Sequence, residues 1–249
     1  ESFFGKRIVA NTVANLSCIN GANTVLDYLG KLPVDVPAII VSAGPSLDKN
    51  IDELKRAKGK AVIVATDTAL RYLFAHDIDP DFVVTLDPQK PPHYFDNPRC
   101  KDIPLFCKIE SNRDILRNHT GKKILFSCHN YVNKLFYKFG KLISSYSAGG
   151  SVATGAFSVC AGLKFQRIVL IGQDLAYGNG VTHAGGDISS IRAEEDGTRM
   201  IEDIHGNMIK TRHDWYIYLQ WFVNSIEEVA EIEVIDATEG GARIKGTKL

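Results

Sequence analysis

Net charge is absent from this chain: 29 basic residues are balanced by 29 acidic ones. That excludes a global field able to draw it onto nucleic acid or an anionic membrane, leaving only local patches. No apolar run approaches the roughly 18 residues of a membrane span, so none is expected. The five cysteines (Cys18, Cys100, Cys107, Cys128, Cys160) are odd in number and scattered, with no C-x-x-C pair. A disulfide framework and a zinc site are therefore not expected; reduced thiols and a cytoplasmic location are. There is no G-x-G-x-x-G and no G-K-[ST], which removes the dinucleotide fingerprint and the P-loop. Repeats and low-complexity tracts are missing too. No signal peptide is visible, and the chain opens at Glu1 rather than Met. We therefore expect an excised fragment, and the loss of a leader or of a neighbouring domain stays open.

What is present is ordinary globular material, 45% apolar and 23% charged over 249 residues. This suffices for one large α/β domain, with room for a small appendage. Residues 1–36 read as a helical lead-in and 37–249 as the domain proper. Apolar strands are predicted at 38–41, 61–65, 82–86, 105–109, 124–127, 168–171 and 234–235. Helical spacing is found at 48–58, 69–76, 151–161 and 212–231. Strands alternating with helices in this way imply a parallel, doubly wound sheet with helices on both faces. On the 212–231 helix, Trp215, Leu219, Phe222, Val223 and Ile226 share one face and are expected in the core. Residues 185–209, rich in glycine and charge, read as a long mobile loop. Residues 89–101 read as a lid or a plain crossover.

The stretch 147–184 organises the rest. Gly149 and Gly150 form a turn, a small-residue helix begins at Ser151, and a buried strand follows. That strand empties into Gly172, Gln173, Asp174, Tyr177 and His183. Ligands of open α/β sheets sit at the carboxyl ends of strands and at helix N-termini. A second candidate turn, Ser42-Ala-Gly-Pro-Ser-Leu47, follows the first strand. There Gly44 permits close backbone approach, Pro45 stiffens the turn, and Ser46 is suited to capping a helix or binding a ligand oxygen. Asp67, Asp87 and Asp174 each follow a strand, as does His129. Singly they read as caps or structural residues; together they mark one polar rim. Such a rim suits a phosphate-bearing ligand, but the residues alone do not choose the chemistry.

Taken together, Ser42-Ala-Gly-Pro-Ser-Leu47, Ala65-Thr-Asp67, Leu86-Asp-Pro88, Ser147-Ala-Gly-Gly-Ser-Val-Ala-Thr154, Ile171-Gly-Gln-Asp-Leu-Ala-Tyr177, Thr182-His-Ala184 and Ile235-Asp-Ala-Thr-Glu-Gly-Gly-Ala-Arg243 resemble the central domain of the motility accessory factor (Maf) family. These are bacterial flagellin glycosyltransferases. The same domain type also covers the MptE-like 6-hydroxymethyl-dihydropterin pyrophosphokinases. The resemblance implies a fold similar to that of bacterial sialyltransferases that use CMP-sialic acid. It implies transfer of a nonulosonic acid (pseudaminic or legionaminic acid) from its CMP-activated form to Ser or Thr of flagellin. No cofactor is then required and no nucleic acid is bound.

Carried over by motif, Ser42, Gly44, Pro45, Ser46, Asp67, Asp87, Gly149, Gly150, Ser151 and Gln173 would hold the nucleotide. His183 or Asp174 would be the base, and Tyr177 a donor to the departing phosphate. Asp67 and Asp87 stand where the sialyltransferases carry Asn, which implies either hydroxyl recognition or a cation. Mg²⁺ therefore stays open. No His aligns with the sialyltransferase base before the last helix, although His205 and His213 lie nearby. Two alternatives stand beside this reading. One is Mg²⁺-dependent diphosphate transfer from ATP to a pterin alcohol through Asp87 and Asp67. The other is a non-catalytic nucleotide-sugar or flagellin-binding module.

Overall fold

Short runs of Val, Ile, Leu and Phe with no polar alternation are what strands buried on both faces require. A computed structural model, which describes residues 3–177, 184 and 199–249, places eight such strands in one sheet. They are β1 (Asn23–Thr24), β2 (Ala38–Val41), β3 (Val62–Thr66), β4 (Phe82–Thr85), β5 (Leu105–Lys108), β6 (Lys123–Phe126), β7 (Arg167–Ile171) and β10 (Glu233–Asp236). Their order is β1-β6-β5-β4-β3-β2-β7-β10, and every pairing is parallel. The doubly wound α/β class expected from the sequence is what forms.

The pleat sends alternate residues to two cores. Ala38, Ile40, Val62 and Val64 pack with α7 (Val152–Gly162) and α8 (His213–Glu228). Ile39, Val41, Ile63 and Ala65 pack beneath α3 (Leu47–Ala57) and α4 (Leu70–Ala75), and this second core continues under α5 (Arg113–Asn118) and α6 (Asn130–Lys138). In α3, Leu47, Ile51 and Leu54 recur at helical spacing and are buried, which fixes the face it turns to the sheet. The small residues of α7 serve close approach. A Cβ on Gly155 would stand 2.9 Å from Leu86, so glycine lets this helix lie against the end of β4.

From β2 the chain moves one way through β3, β4, β5 and β6, then returns to place β7 on the other side of β2. The carboxyl ends of β2 and β7 therefore flank the switch point where open sheets bind ligands. The lead-in is helical, with α1 (Phe3–Asn15) and α2 (Cys18–Gly21), but it also joins the sheet through β1. Asn11 and Asn15 of α1 donate to the carbonyls of Pro88, Ile109, Glu110 and Ser111, tying this helix to the rim.

The segment read as a long loop is different where it is described. An antiparallel hairpin, β8 (Arg199–Glu202) and β9 (Met208–Thr211), turns around Asp203, whose carboxylate accepts the N–H groups of His205 and Asn207, each at 2.8 Å. The alternation of Ile201 and Ile209 with charged neighbours is the signal for it. Residues 185–198 lie outside the described part. All five cysteines are free thiols. No helix among the described residues is long and apolar enough to cross a membrane.

Candidate active site

The turn after β2 and the turn after β7 interlock. Ser42 N–H donates to Ile171 O at 3.0 Å and Gly44 N–H to Gly172 O at 2.8 Å. The Ser42 hydroxyl donates to Gln173 Oε1 at 2.5 Å. Beneath them Asp174 accepts the Ser46 hydroxyl at 2.7 Å and the Ser46 N–H at 3.2 Å. Gly44 has no room for a side chain: a Cβ there would run into Asp174 Oδ2 and sit 2.5 Å from Gly172 O. Gly172, at φ +63°, meets the Ser42 carbonyl just as closely. The glycines of this rim thus let two strand ends touch.

A cleft of about 180 Å³ opens above these turns. Ser42, Ala43 and Gly44 line it from β2, Thr66 and Thr68 from β3, and Gly172 to Ala176 from β7. Ser151, Val152 and Ala153 bring the N-terminus of α7 to it, with Arg212, Trp215 and Tyr218 opposite. Ser151 caps α7 by accepting Thr154 N–H, and Val152 and Ala153 stand in its first turn, whose N–H groups have no intrahelical acceptor. Gln173 is 6% exposed, and its amide nitrogen has no partner among the described residues. The Arg212 guanidinium lies over Trp215 at 4.2 Å and gives Nε–H to Asp214, leaving its two terminal nitrogens unengaged among the described residues. Helix N–H groups, a primary amide and a guanidinium therefore converge: every one a donor, every one suited to an anion.

Not every expected residue faces this space. Asp67 lies behind the cleft: it is 0% exposed, its carboxylate held by Lys90 Nζ at 2.8 Å and the Thr85 hydroxyl at 2.7 Å. Lys90 also lies over the Tyr94 ring at 4.1 Å, tying the start of residues 89–101 to the Asp67 turn. Gly149 and Gly150 likewise face protein. A Cβ on Gly149 would collide with the Trp221 ring, and one on Gly150 would meet the Tyr218 ring at 3.1 Å. Their role is to let α8 close over the entry to α7.

Asp174 lines the cleft but is 5% exposed, with its carboxylate engaged by Ser46. Burial raises its pKa, and the Ser46 donors oppose that rise. Pro45 and Ser46 form the turn into α3, with Ser46 turned inward to Asp174. Tyr177 packs beside Trp215, ring centroids 5.0 Å apart. Asp87 is half-buried on the rim, its carboxylate accepting Gln89 N–H at 2.7 Å. His129 gives Nδ1 to the buried Glu110, which also accepts the Tyr131 hydroxyl. His183 lies outside the described residues.

Sequence reasoning missed Arg212, Trp215 and Tyr218. Trp215 belongs to the stripe assigned to the core and Tyr218 was not singled out at all, whereas only Leu219, Phe222 and Ile226 of α8 are buried. The missed signal is the pairing of Arg212 with Trp215, a cation among aromatics at the start of a helix.

A family model described as 6-hydroxymethylpterin diphosphokinase MptE-like matches residues 10–180. Among curated proteins, an uncharacterized protein of Treponema pallidum (strain Nichols) is 34% identical over 86 residues, which is 34% of this chain and 40% of that protein. Among solved structures, a Maf glycosyltransferase from Magnetospirillum magneticum AMB-1 matches with a TM-score of 0.76 at 17% identity. That match covers 99% of this chain and 38% of the other. The matched stretch thus covers less than half of either protein, and the resemblance drawn from the motifs is borne out at the level of fold.

Proposed function

Because this chain belongs to the MptE-like family, we propose that its cleft moves a group off a nucleotide: that it is a glycosyltransferase using a CMP-activated nonulosonic acid, with Ser or Thr of flagellin as acceptor. The observation that carries this is the set of donors that converge on the switch-point cleft, the α7 N-terminus, Gln173 and Arg212. When the glycosidic bond to CMP breaks, negative charge grows on the departing phosphate. Fixed donors that face it, in a site walled by Trp215 and Tyr218, stabilise that charge without reorganising. The Tyr218 hydroxyl is a further donor there. The acceptor hydroxyl gives its proton to a base as it attacks, and His183 keeps that role in this proposal. Asp174 does not, since its carboxylate holds the Ser46 turn. A cytoplasmic location accords with the free thiols.

Diphosphate transfer from ATP is the second reading, favoured by the description of the family. It needs carboxylates for Mg²⁺, because polyphosphate charge must be neutralised. Of the two candidates Asp67 is bound to Lys90, which leaves Asp87 alone and supports the first reading. A thermal-shift titration with CMP, CTP and ATP, each with and without Mg²⁺, separates the two. CMP should stabilise the protein without metal, and Arg212→Ala should weaken CMP by about tenfold, the worth of one charge-assisted contact. Stabilisation by Mg-ATP alone would overturn the glycosyltransferase reading.

A further inference from the structure

Behind the rim lies a second cavity, of about 590 Å³, within the size range of small-molecule sites. Its floor is apolar sheet, Ile39 of β2 with Val169 and Ile171 of β7. Leu54 and Ala57 of α3 continue that surface up one wall. Two side chains of the lining carry an anomaly. Asn50 of α3 is 7% exposed and Asp236, at the end of β10, is 2% exposed. Asn50 gives its amide nitrogen to Ala237 O, and Asp236 Oδ1 accepts Thr238 N–H. The remaining oxygen of each, Asn50 Oδ1 and Asp236 Oδ2, is buried without a partner.

Both orphans are acceptors, so what is missing is a donor. The other charged groups of the lining agree. Among the described residues of the lining, Glu53 and Glu239 are acidic, His205 is the one basic type, and there is no Lys or Arg. Of the cations nearby, Arg56 is paired with Glu53 and Lys248 with Glu233, while Lys49 gives its ammonium to the Glu239 carbonyl at 2.8 Å. Among the described residues, no Lys, Arg or His forms an ion pair with Asp236. Burial of this carboxylate, with the nearby Asp174 charge adding to it, raises its pKa to about 6 against the hydrogen bonds from Thr238 and the Ile244 N–H.

We propose that this cavity is a binding site, separate from the switch-point cleft, for a small apolar molecule bearing a protonated amine. The apolar body lies on Ile39, Val169 and Ile171, and the ammonium donates to Asp236 and Asn50. No covalent step is involved.

The test uses three molecules that share one ring system: tryptamine, tryptophol and indole-3-acetate, carrying an ammonium, a hydroxyl and a carboxylate. Isothermal titration should give saturable tryptamine binding at least about tenfold tighter than tryptophol, with no uptake of the acid. Asp236→Asn keeps the acceptor for Thr238 N–H and should abolish the preference for the amine. Ala57→Trp, which fills the cavity from α3, should abolish binding altogether. Saturating CMP should not compete. The proposal fails if tryptamine does not saturate, if the acid binds as well as the amine, if binding survives both variants, or if CMP displaces it.

Discussion

Two buried aspartates stand close behind parallel strands on the same rim, and the protein treats them in opposite ways. Asp67, after β3, is neutralised by the Lys90 ammonium and two threonine hydroxyls. Asp174, after β7, receives only neutral donors from Ser46, and Asp236 on the neighbouring strand likewise has neutral Thr238 as its partner. The first arrangement makes a closed ion pair that has nothing left to offer a ligand. The second leaves carboxylates whose pKa burial has raised, close to each other and to both cavities. An aspartate at a strand end is therefore not one kind of feature; its partner decides what it is.

Removing that partner should give the largest effect. Lys90→Met strands the Asp67 charge in the interior and should lower unfolding free energy by about 3–5 kcal/mol in urea titrations. Adding Asp67→Asn to it should recover most of the loss, because the double variant no longer buries an unpaired charge. A double variant no better than Lys90→Met would mean that packing of the lysine stem, not charge, holds residues 89–101.

The neutral-donor side is probed by pH. Asp236 has a folded pKa of about 6, above its value in the unfolded chain. The folded state therefore holds its proton more tightly, so stability from this group is full below about pH 4 and is lost as pH rises through 6. Asp236→Asn should remove that decline. Relative to the variant, the wild type should lose at most about 3 kcal/mol between pH 4 and 7. Parallel stability curves across that range would contradict the raised pKa.

A smaller effect is expected where the two strand ends meet. Gly44→Ala forces a methyl against the Asp174 carboxylate and should cost about 1–3 kcal/mol, with weaker CMP stabilisation. Gly21→Ala serves as the control: nothing lies within 4 Å of a Cβ there, and its melting temperature should hold or rise slightly.

The sheet was legible because its strands are short apolar runs between turn residues, and only burial on both faces tolerates such runs. The β2 turn and the cap of α7 were legible for a related reason, since Ser42-Ala-Gly-Pro-Ser46 and Ser151 each sit at the border of an apolar segment. Trp215 was not, because a helical stripe separates apolar from polar but does not tell a core from the wall of a cleft. Lys90 gave no sign of its partner, which lies a helix and a strand earlier in the chain.

By itself, then, the sequence determined the sheet, its direction, the helices on its two faces and the strand ends at which polar residues gather. These follow from periodicity and local turn chemistry, which act over a few residues. Only the tertiary structure decided which of those polar residues face a ligand. That choice rests on contacts between distant segments: Lys90 closing over Asp67, Ser46 turning in to Asp174, and α8 bringing Arg212 across to the end of α7.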